Sequence, residues 1–405
     1  YQTVQIGDQG NMNLAINWGT GDGYENYVFN GTTLTAPGVS RIVDTDIGDN
    51  NLGVVYLRKD DIYDDDGAEA QTFEVKIKPN VGNGLTQFGT HTNYGGPGFN
   101  STVGGTEVDC RSNLQSVEAW GNWVTVWSYS FDQADQLTAV PNSTPGNNPT
   151  SMAGMFHEAT TFNAAIGSWD VSTVTDMNEM FQDAIAFNKD IGLWDVSSVE
   201  DMSEMFEAAT VFDQDIGSWD TSSVNDMTQM FKETDDFNQD IDTNAGNWDV
   251  SNVTDMSAMF EDALAFDQDL DNWDTSSVTD MQEMFLNAEK FGEVNGEIGS
   301  WVTSSVLDMS YMFSETIFFN KDLDNWDTSS VTTMEEMFYN ADAFNGQIGS
   351  WDVSALQTMD SMFAYADTFN SPIGDWNVSS VTDMDEVFED TSAFNQDISG
   401  WNVSN

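Results

Sequence analysis

Residues Phe187-Asn188-Lys189-Asp190-Ile191-Gly192-Leu193-Trp194-Asp195-Val196-Ser197-Ser198-Val199-Glu200-Asp201-Met202-Ser203-Glu204-Met205-Phe206-Glu207-Ala208-Ala209 form one unit of a repeat whose reading decides the fold. Met202, Met205, Phe206 and Ala209 follow i, i+3, i+4, i+7 spacing, which predicts the apolar face of a short helix. Ile191, Trp194 and Val196 precede them with the spacing of a short strand whose apolar groups turn into one core. In front of the helical run, Asp201 and Glu204 stand three residues apart, as do Asp176 and Glu179, Asp280 and Glu283, and Asp383 and Glu386. That pair predicts a capping box, which gives those carboxylates structural work at the positive end of a helix.

From this unit outward, Trp recurs at 169, 194, 219, 248, 273, 301, 326, 351, 376 and 401, a period of 25 residues. The two longer intervals carry polar insertions at Asp242–Gly246 and Gly292–Gly296, read as loops bulging from single coils. A coil this short cannot bury its own apolar face and must stack on its neighbours. The expected fold over residues 151–405 is therefore an α/β leucine-rich-repeat-like solenoid, with a short parallel strand and a short helix in each of about eleven coils. At about 4.8 Å per coil it would be roughly 50 Å long.

Phe131, Ala134 and Leu137 sit one period before Phe156, Ala159 and Phe162. Residues 112–150 thus read as a degenerate capping repeat followed by an irregular turn from Pro141 to Ser151. At the other end, Ile398, Trp401 and Val403 read as an ordinary strand, from which continuation of the natural chain, or docking of this edge on another chain, is expected. Residues 1–111 change to alternating runs such as Leu14–Trp18, Val54–Leu57 and Phe73–Ile77 between Gly, Asn and Asp turns, the pattern of a small all-β sandwich domain.

The charge narrows the partners. Sixty-nine Asp and Glu face ten Lys and Arg, a net charge of −59, so nucleic acid and anionic membrane surfaces are repelled. Such self-repulsion suits salty or calcium-containing water. The lone Cys110 cannot form an intrachain disulfide and reads as a small buried residue. No apolar run is long enough for membrane insertion, and the opening residues, Tyr first, lack the pattern of a signal peptide, as a processed or excised chain would.

The position after each Trp holds Asp170, Asp195, Asp220, Asp249, Asp274, Asp327 and Asp352, with Val302, Asn377 and Asn402 breaking the series. On a strand these side chains point outward, and carboxylates about 4.8 Å apart repel by about 0.9 kcal/mol even in water. Three readings stay open: a solvated acidic face, a metal ladder in which Ca2+ bridges neighbouring carboxylates, and recognition of a cationic or sugar ligand. The Ser two residues further on, from Ser172 to Ser404, reads as a turn-stabilising hydroxyl with no repeated base beside it. The Asn or Asp after each Phe, such as Asn188, Asn238, Asn320 and Asn395, predicts an inner polar ladder that bonds backbone. Nineteen of the twenty Met lie in the repeats at core positions. His91 and His157 are too few for a typical zinc site or a Ser-His-Asp triad. Asp60–Gly67 approximates a calcium loop but lacks its closing Glu, and reads as an acidic hairpin tip. Asn30, Asn100, Asn142, Asn252, Asn377 and Asn402 begin Asn-X-Ser/Thr triplets.

The unit F-N-x-D-I-x-x-W-D-V/T-S-S-V-T-D-M-x-x-M-F-x-x-A resembles the repeat of BspA-like leucine-rich-repeat surface proteins of bacteria, mycoplasmas and some algae, over roughly residues 112–405. Ser116–Trp123 looks like the lead-in to those repeats, and Asn17–Gly23 resembles a turn of PKD-type sandwiches. The resemblance implies a secreted or surface-displayed, non-enzymatic protein whose solenoid adheres to or recognises an extracellular protein or glycan. A second reading is a structural subunit of an extracellular filament, sheath or virion fibre, bound to copies of itself. A third is a polysaccharide hydrolase in the N-terminal domain.

Overall fold

The computed structural model describes ten strands between Thr3 and Glu107, and residues 128–144, 149–242 and 247–404. The strands are β1 (Thr3–Ile6), β2 (Met12–Asn17), β3 (Glu25–Phe29), β4 (Leu34–Ala36), β5 (Val39–Val43), β6 (Gly53–Tyr56), β7 (Glu74–Lys78), β8 (Leu85–Gly89), β9 (Thr102–Val103) and β10 (Thr106–Glu107). They pair antiparallel in the orders β5-β4-β3-β2-β7, β6-β1-β8 and β9-β10. The three alternating runs noted above fall on β2, β6 and β7. The face-to-face packing of a sandwich, Cys110, His91, the turn Trp18–Gly23, the acidic loop Asp60–Gly67 and the segment Leu114–Trp127 lie outside the described residues.

The repeat region corrects the expected fold. It is not a solenoid with a strand and a helix per coil: among the described residues there is no helix, and between 128 and 404 no strand. Each coil is a closed chain of β-turns. The amides of Met180, Ala184, Phe187, Trp194 and Val199 each donate to the carbonyl three residues earlier, at Met177, Phe181, Ala184, Ile191 and Val196.

Between those turns, alternate amides leave the coil. Met177, Glu179, Phe181 and Asp183 donate to the carbonyls of Asp201, Ser203, Met205 and Glu207 in the next coil at 2.8–3.0 Å, and Glu200 donates back to Thr175 at 2.8 Å. One parallel bridge per coil runs Ser151, Asp176, Asp201, Asp226, Asp255, Asp280, Asp308, Thr333, Thr358, Asp383.

A four-residue turn places its first and fourth side chains on one side. Two turns in succession, Met177–Met180 and Phe181–Ala184, therefore reproduce the 0, 3, 4, 7 pattern of a helix face without a helix. Spacing between coils excludes the helix. Phe181, Phe206 and Phe231, all on the expected helical side, stack at 5.6 and 5.8 Å, whereas a helix with its side chains is about 10–12 Å across. On the opposite side Trp248, Trp273 and Trp301 stack at 6.4 and 6.2 Å, so both sides of the coil repeat at nearly the same distance.

The turn geometry requires left-handed backbone at two positions per coil, for example Glu179 (φ 55°) and Asp183 (φ 57°), or Glu204 (φ 56°) and Ala208 (φ 54°). Non-glycine residues pay about 1–2 kcal/mol there. Each of those amides, however, donates an inter-coil hydrogen bond, so stacking holds the conformation. The expected capping boxes are consequently something else. Asp201 accepts the amide of Ser203 at 3.0 Å in an Asx turn, while Glu204 is the left-handed residue and its amide goes to Thr228 in the next coil.

Three aromatic columns fill the interior. In one coil Phe206 and Phe212 lie 4.0 Å apart, Trp219 lies 6.3 Å from Phe206, and all three are buried. The indole of Trp219 donates to the carbonyl of Ile191 at 3.2 Å, which lets a Trp be fully buried with its polar atom paired. Met202, Met205 and their equivalents fill the core as expected, with Met384 of the last coil only partly covered. Residues 128–140, the described part of the 112–150 capping segment, stack on the first full coil: Tyr129, Phe131 and Gln133 donate to the carbonyls of Ala153, Met155 and His157, and Phe131 stacks on Phe156 at 5.5 Å. Among the described residues no helix is long and apolar enough to cross a membrane.

Candidate functional site

Three successive coils turn a corner on an aspartate three times each, at Asp190, Asp195 and Asp201, at Asp215, Asp220 and Asp226, and at Asp240, Asp249 and Asp255. In the coil quoted first, Asp190 Oδ1 accepts the amide of Gly192 at 3.0 Å, Asp195 accepts that of Ser197 at 3.3 Å, and Asp201 accepts that of Ser203 at 3.0 Å. An Asx turn of this kind mimics a backbone turn and shelters an amide that would otherwise lack a partner. The carboxylates form three columns along the array.

The column predicted from the sequence is the outer one. Asp170, Asp195, Asp220, Asp274, Asp327 and Asp352 are exposed and Asp249 half-buried. None is held in a strand; each is the first residue of a turn. The hydroxyls of Ser172, Ser197, Ser222 and Ser329 donate at 2.6–2.7 Å to Asp170, Asp195, Asp220 and Asp327, the turn-stabilising role expected of that serine. At Asp170, Asp274 and Asp352 the side-chain and backbone hydrogen bonds from the serine hold the carboxyl below its ordinary range. Buried Thr221, Thr275, Thr303 and Thr328 donate to the carbonyls of Asp249, Val302, Asp327 and Asp352 at 3.0 Å, tying this face together coil to coil.

The Asn188 column behaves as the expected polar ladder in its bonding, though it lies on the outside rather than within. Asp213 donates its amide to Asn188 Oδ1 at 3.2 Å, Asn238 to Asp213 at 3.0 Å, and Asn370 to Asn345 at 2.8 Å.

The bridged aspartates from Asp176 to Asp308 are half-buried, and Asp383 of the last bridge is exposed. Burial first, then the charges of Asp255, Asp308 and Glu283, push Asp280 up, with the hydrogen bond from Gln282 opposing. The expected helix caps Asp176, Asp201, Asp280 and Asp383 belong to this column, and the sequence pattern did not show that they stack.

Sequence reasoning also missed a charge-alternating column. Asp132, His157, Gln182, Glu207, Lys232 and Glu261 occupy one position in successive coils. His157 Nδ1 lies 2.7 Å from Asp132 Oδ1, Gln182 donates to both Glu207 and Glu204, and Lys232 Nζ lies 2.7 Å from Glu261 Oε2. Burial pushes Glu207 up to about 7, against the hydrogen bond from Gln182 and with the charge of Glu204 adding to the rise. The alternation is visible when the chain is written one period per line, but it is invisible to any search for local motifs.

Among the described residues no three His, Cys, Asp or Glu side chains are grouped so as to hold a metal ion. The seven outer aspartates stand one per coil, each turned onto its own serine.

A chain of stacked turns with repeated W-D-V/T-S-S-V-x-D-M-x-x-M-F units invites comparison with known repeat families. The family model described as "Mycoplasma protein of unknown function, DUF285" matches residues 125–244, 241–324, 292–366 and 308–405. The chain belongs to the DUF285 family. The four matches span the whole stacked array, cap coil included, so the DUF285 repeat here is the 25-residue coil of turns. No curated protein matches the chain, and no solved structure does.

Proposed function

We propose that this DUF285 array is a non-enzymatic extracellular recognition surface that adheres to an extracellular protein or glycan through its outer aspartate face. The observation that carries the reading is the outer column itself, a series of exposed carboxylates such as Asp170, Asp195, Asp220 and Asp327, each fixed by a serine in the same kind of turn. Such a preorganised lattice loses little entropy on binding and presents the same contact many times, so weak single contacts add to useful avidity. The net charge of −59 favours ligands with cationic or hydroxyl-rich surfaces and disfavours nucleic acid. The motif's resemblance to BspA-like surface repeats, and that of the N-terminal turn to PKD-type modules, supports the extracellular setting. Calcium enters only as a test condition, because hard cations prefer carboxylate oxygens.

The decisive variant replaces Asp195, Asp220, Asp249, Asp274, Asp327 and Asp352 by Asn together. Asn377 already makes the same turn with Ser379, whose hydroxyl donates at 2.8 Å, so the fold should survive. Attachment of the full chain to cells, matrix proteins and a glycan array is measured at 0.15 M salt, with calcium and with chelator. Loss of attachment with an unchanged melting transition supports the proposal. Undiminished attachment overturns it.

A further inference from the structure

Among the described residues, the junction between the cap coil, residues 128–140, and the array is built from different groups than the internal junctions. Phe131 stacks on Phe156, but Leu137 stands where the other coils have a second Phe, and Trp169 of the first full coil donates to Pro141 rather than to the carbonyl of an Ile. Polar contacts join the cap coil to the array as well. Ser128 and Ser151 join through their hydroxyls at 2.7 Å. Tyr129 lies across Gly154, its ring where a Cβ would be, and its hydroxyl donates to Glu179 Oε2 in the second full coil at 2.7 Å.

The one ion pair across this junction is His157 with Asp132, at 2.7 Å, among the described residues. From 128 to 404 the only other cationic side chains are Lys189, Lys232, Lys290 and Lys321, none of which changes charge near neutral pH. The imidazole has Asp132 and the Tyr129 ring on its cap side, Glu158 of its own coil 3.7 Å from Nε2, and Glu179 on the next coil. Three carboxylates therefore surround a single histidine at the boundary of the array.

We propose that His157 is a proton-operated latch: as imidazolium it clamps the cap coil to the solenoid through Asp132, and on losing its proton it lets that coil open and uncover the edge of the first full coil.

The sign follows from the surroundings. Burial opposes the charge, but the Asp132 hydrogen bond and the charges of Asp132, Glu158 and Glu179 outweigh it, so His157 titrates above its ordinary value. A histidine raised in the folded state adds stability that is full below its unfolded value, about 6.5, and is lost as pH rises through the folded one. The latch is closed below the ordinary histidine value and is released as pH rises through the raised one. Release exposes the Phe156 ring face and frees the carbonyls of Ala153, Met155 and His157 that the cap amides occupy.

Hydrogen exchange of the full chain between pH 5.5 and 8.5, scaled for intrinsic rates, tests this. The amides of Tyr129, Phe131 and Gln133 should lose protection severalfold across the His157 titration, while residues 305–340 hold theirs. His157→Gln should leave the cap weakly protected at every pH. His157→Lys, a fixed charge, should keep it protected to pH 8.5, since Lys232 at the same column position already reaches a carboxylate one coil away. The imidazole proton signal, assigned by its loss in His157→Gln, gives the titration midpoint independently. If His157→Gln fails to fold, Asp132→Asn carries the same test and should remove the pH response of the cap. Cap protection that tracks the rest of the array at all pH values, or the same pH response in wild type and either uncharged variant, would overturn the latch.

Discussion

Phe206 and Phe231, equivalent residues of adjacent coils, lie with ring centroids 5.8 Å apart and planes 8° from parallel. That separation leaves no room for a helix on this side of the coil, and along the column it makes each internal ring the partner of one above and one below.

Truncating one ring should interrupt the column. Phe231 is fully buried and also stacks on Phe260 at 5.6 Å and Phe237 at 4.2 Å. Phe231→Ala should destabilise by about 3–5 kcal/mol. Because each coil touches only its neighbours, denaturant unfolding followed by Trp fluorescence should split into two transitions. A single transition at the wild-type midpoint would contradict this packing.

The left-handed positions give substitutions of opposite sign. Ala208 has φ 54°, so Ala208→Gly should gain about 0.5–1 kcal/mol, the relief of left-handed strain less the entropy glycine loses on folding. Gly154 also has positive φ, and a Cβ there would lie 2.0 Å from the Tyr129 ring. Gly154→Ala should therefore lose about 1–3 kcal/mol and loosen the cap coil. Urea midpoints of the two variants check both directions.

Asx turns predict a distinction between amide and methyl. Asp352 accepts the amide of Ser354 at 2.9 Å, and Asn377 accepts that of Ser379 at 3.3 Å in the next coil. Asp352→Asn should be close to neutral, while Asp352→Ala should cost about 1 kcal/mol through the lost acceptor. Equal melting temperatures for the two variants would argue against the turn as the role of this residue.

Stability against pH should carry two opposed contributions. Glu207, raised to about 7, is an acid whose folded value lies above its unfolded one, so its contribution is full at low pH and is lost between about 4.5 and 7. Glu207→Gln should flatten that decline and raise the melting temperature at pH 8. Asp170, Asp274, Asp352 and Asp397 are lowered by their serines, so their contribution is present at neutral pH and lost as pH falls below the ordinary aspartate range. Melting temperatures of wild type and Glu207→Gln from pH 3 to 8 separate the two.

Although it placed the Asn188 ladder inside rather than outside, the sequence by itself determined the period, the coil register, the apolar residues that face inward and the turn-stabilising role of Ser197. Each follows from repetition: when Trp194 recurs 25 residues later as Trp219, both must occupy one environment, whatever the backbone between them does. Tertiary structure alone decided between helix and turn. Met202, Met205, Phe206 and Ala209 satisfy the spacing of either, and local pattern cannot separate a helix face from two consecutive turns. What separates them is where the amides go. Glu204 and Phe206 send theirs to Thr228 and Met230 in the next coil, a choice available only once coils stack at a spacing too close for helices. The same contact between coils sets His157 against Asp132 and Lys232 against Glu261, because charge pairing across residues far apart in the chain exists only after the array has closed.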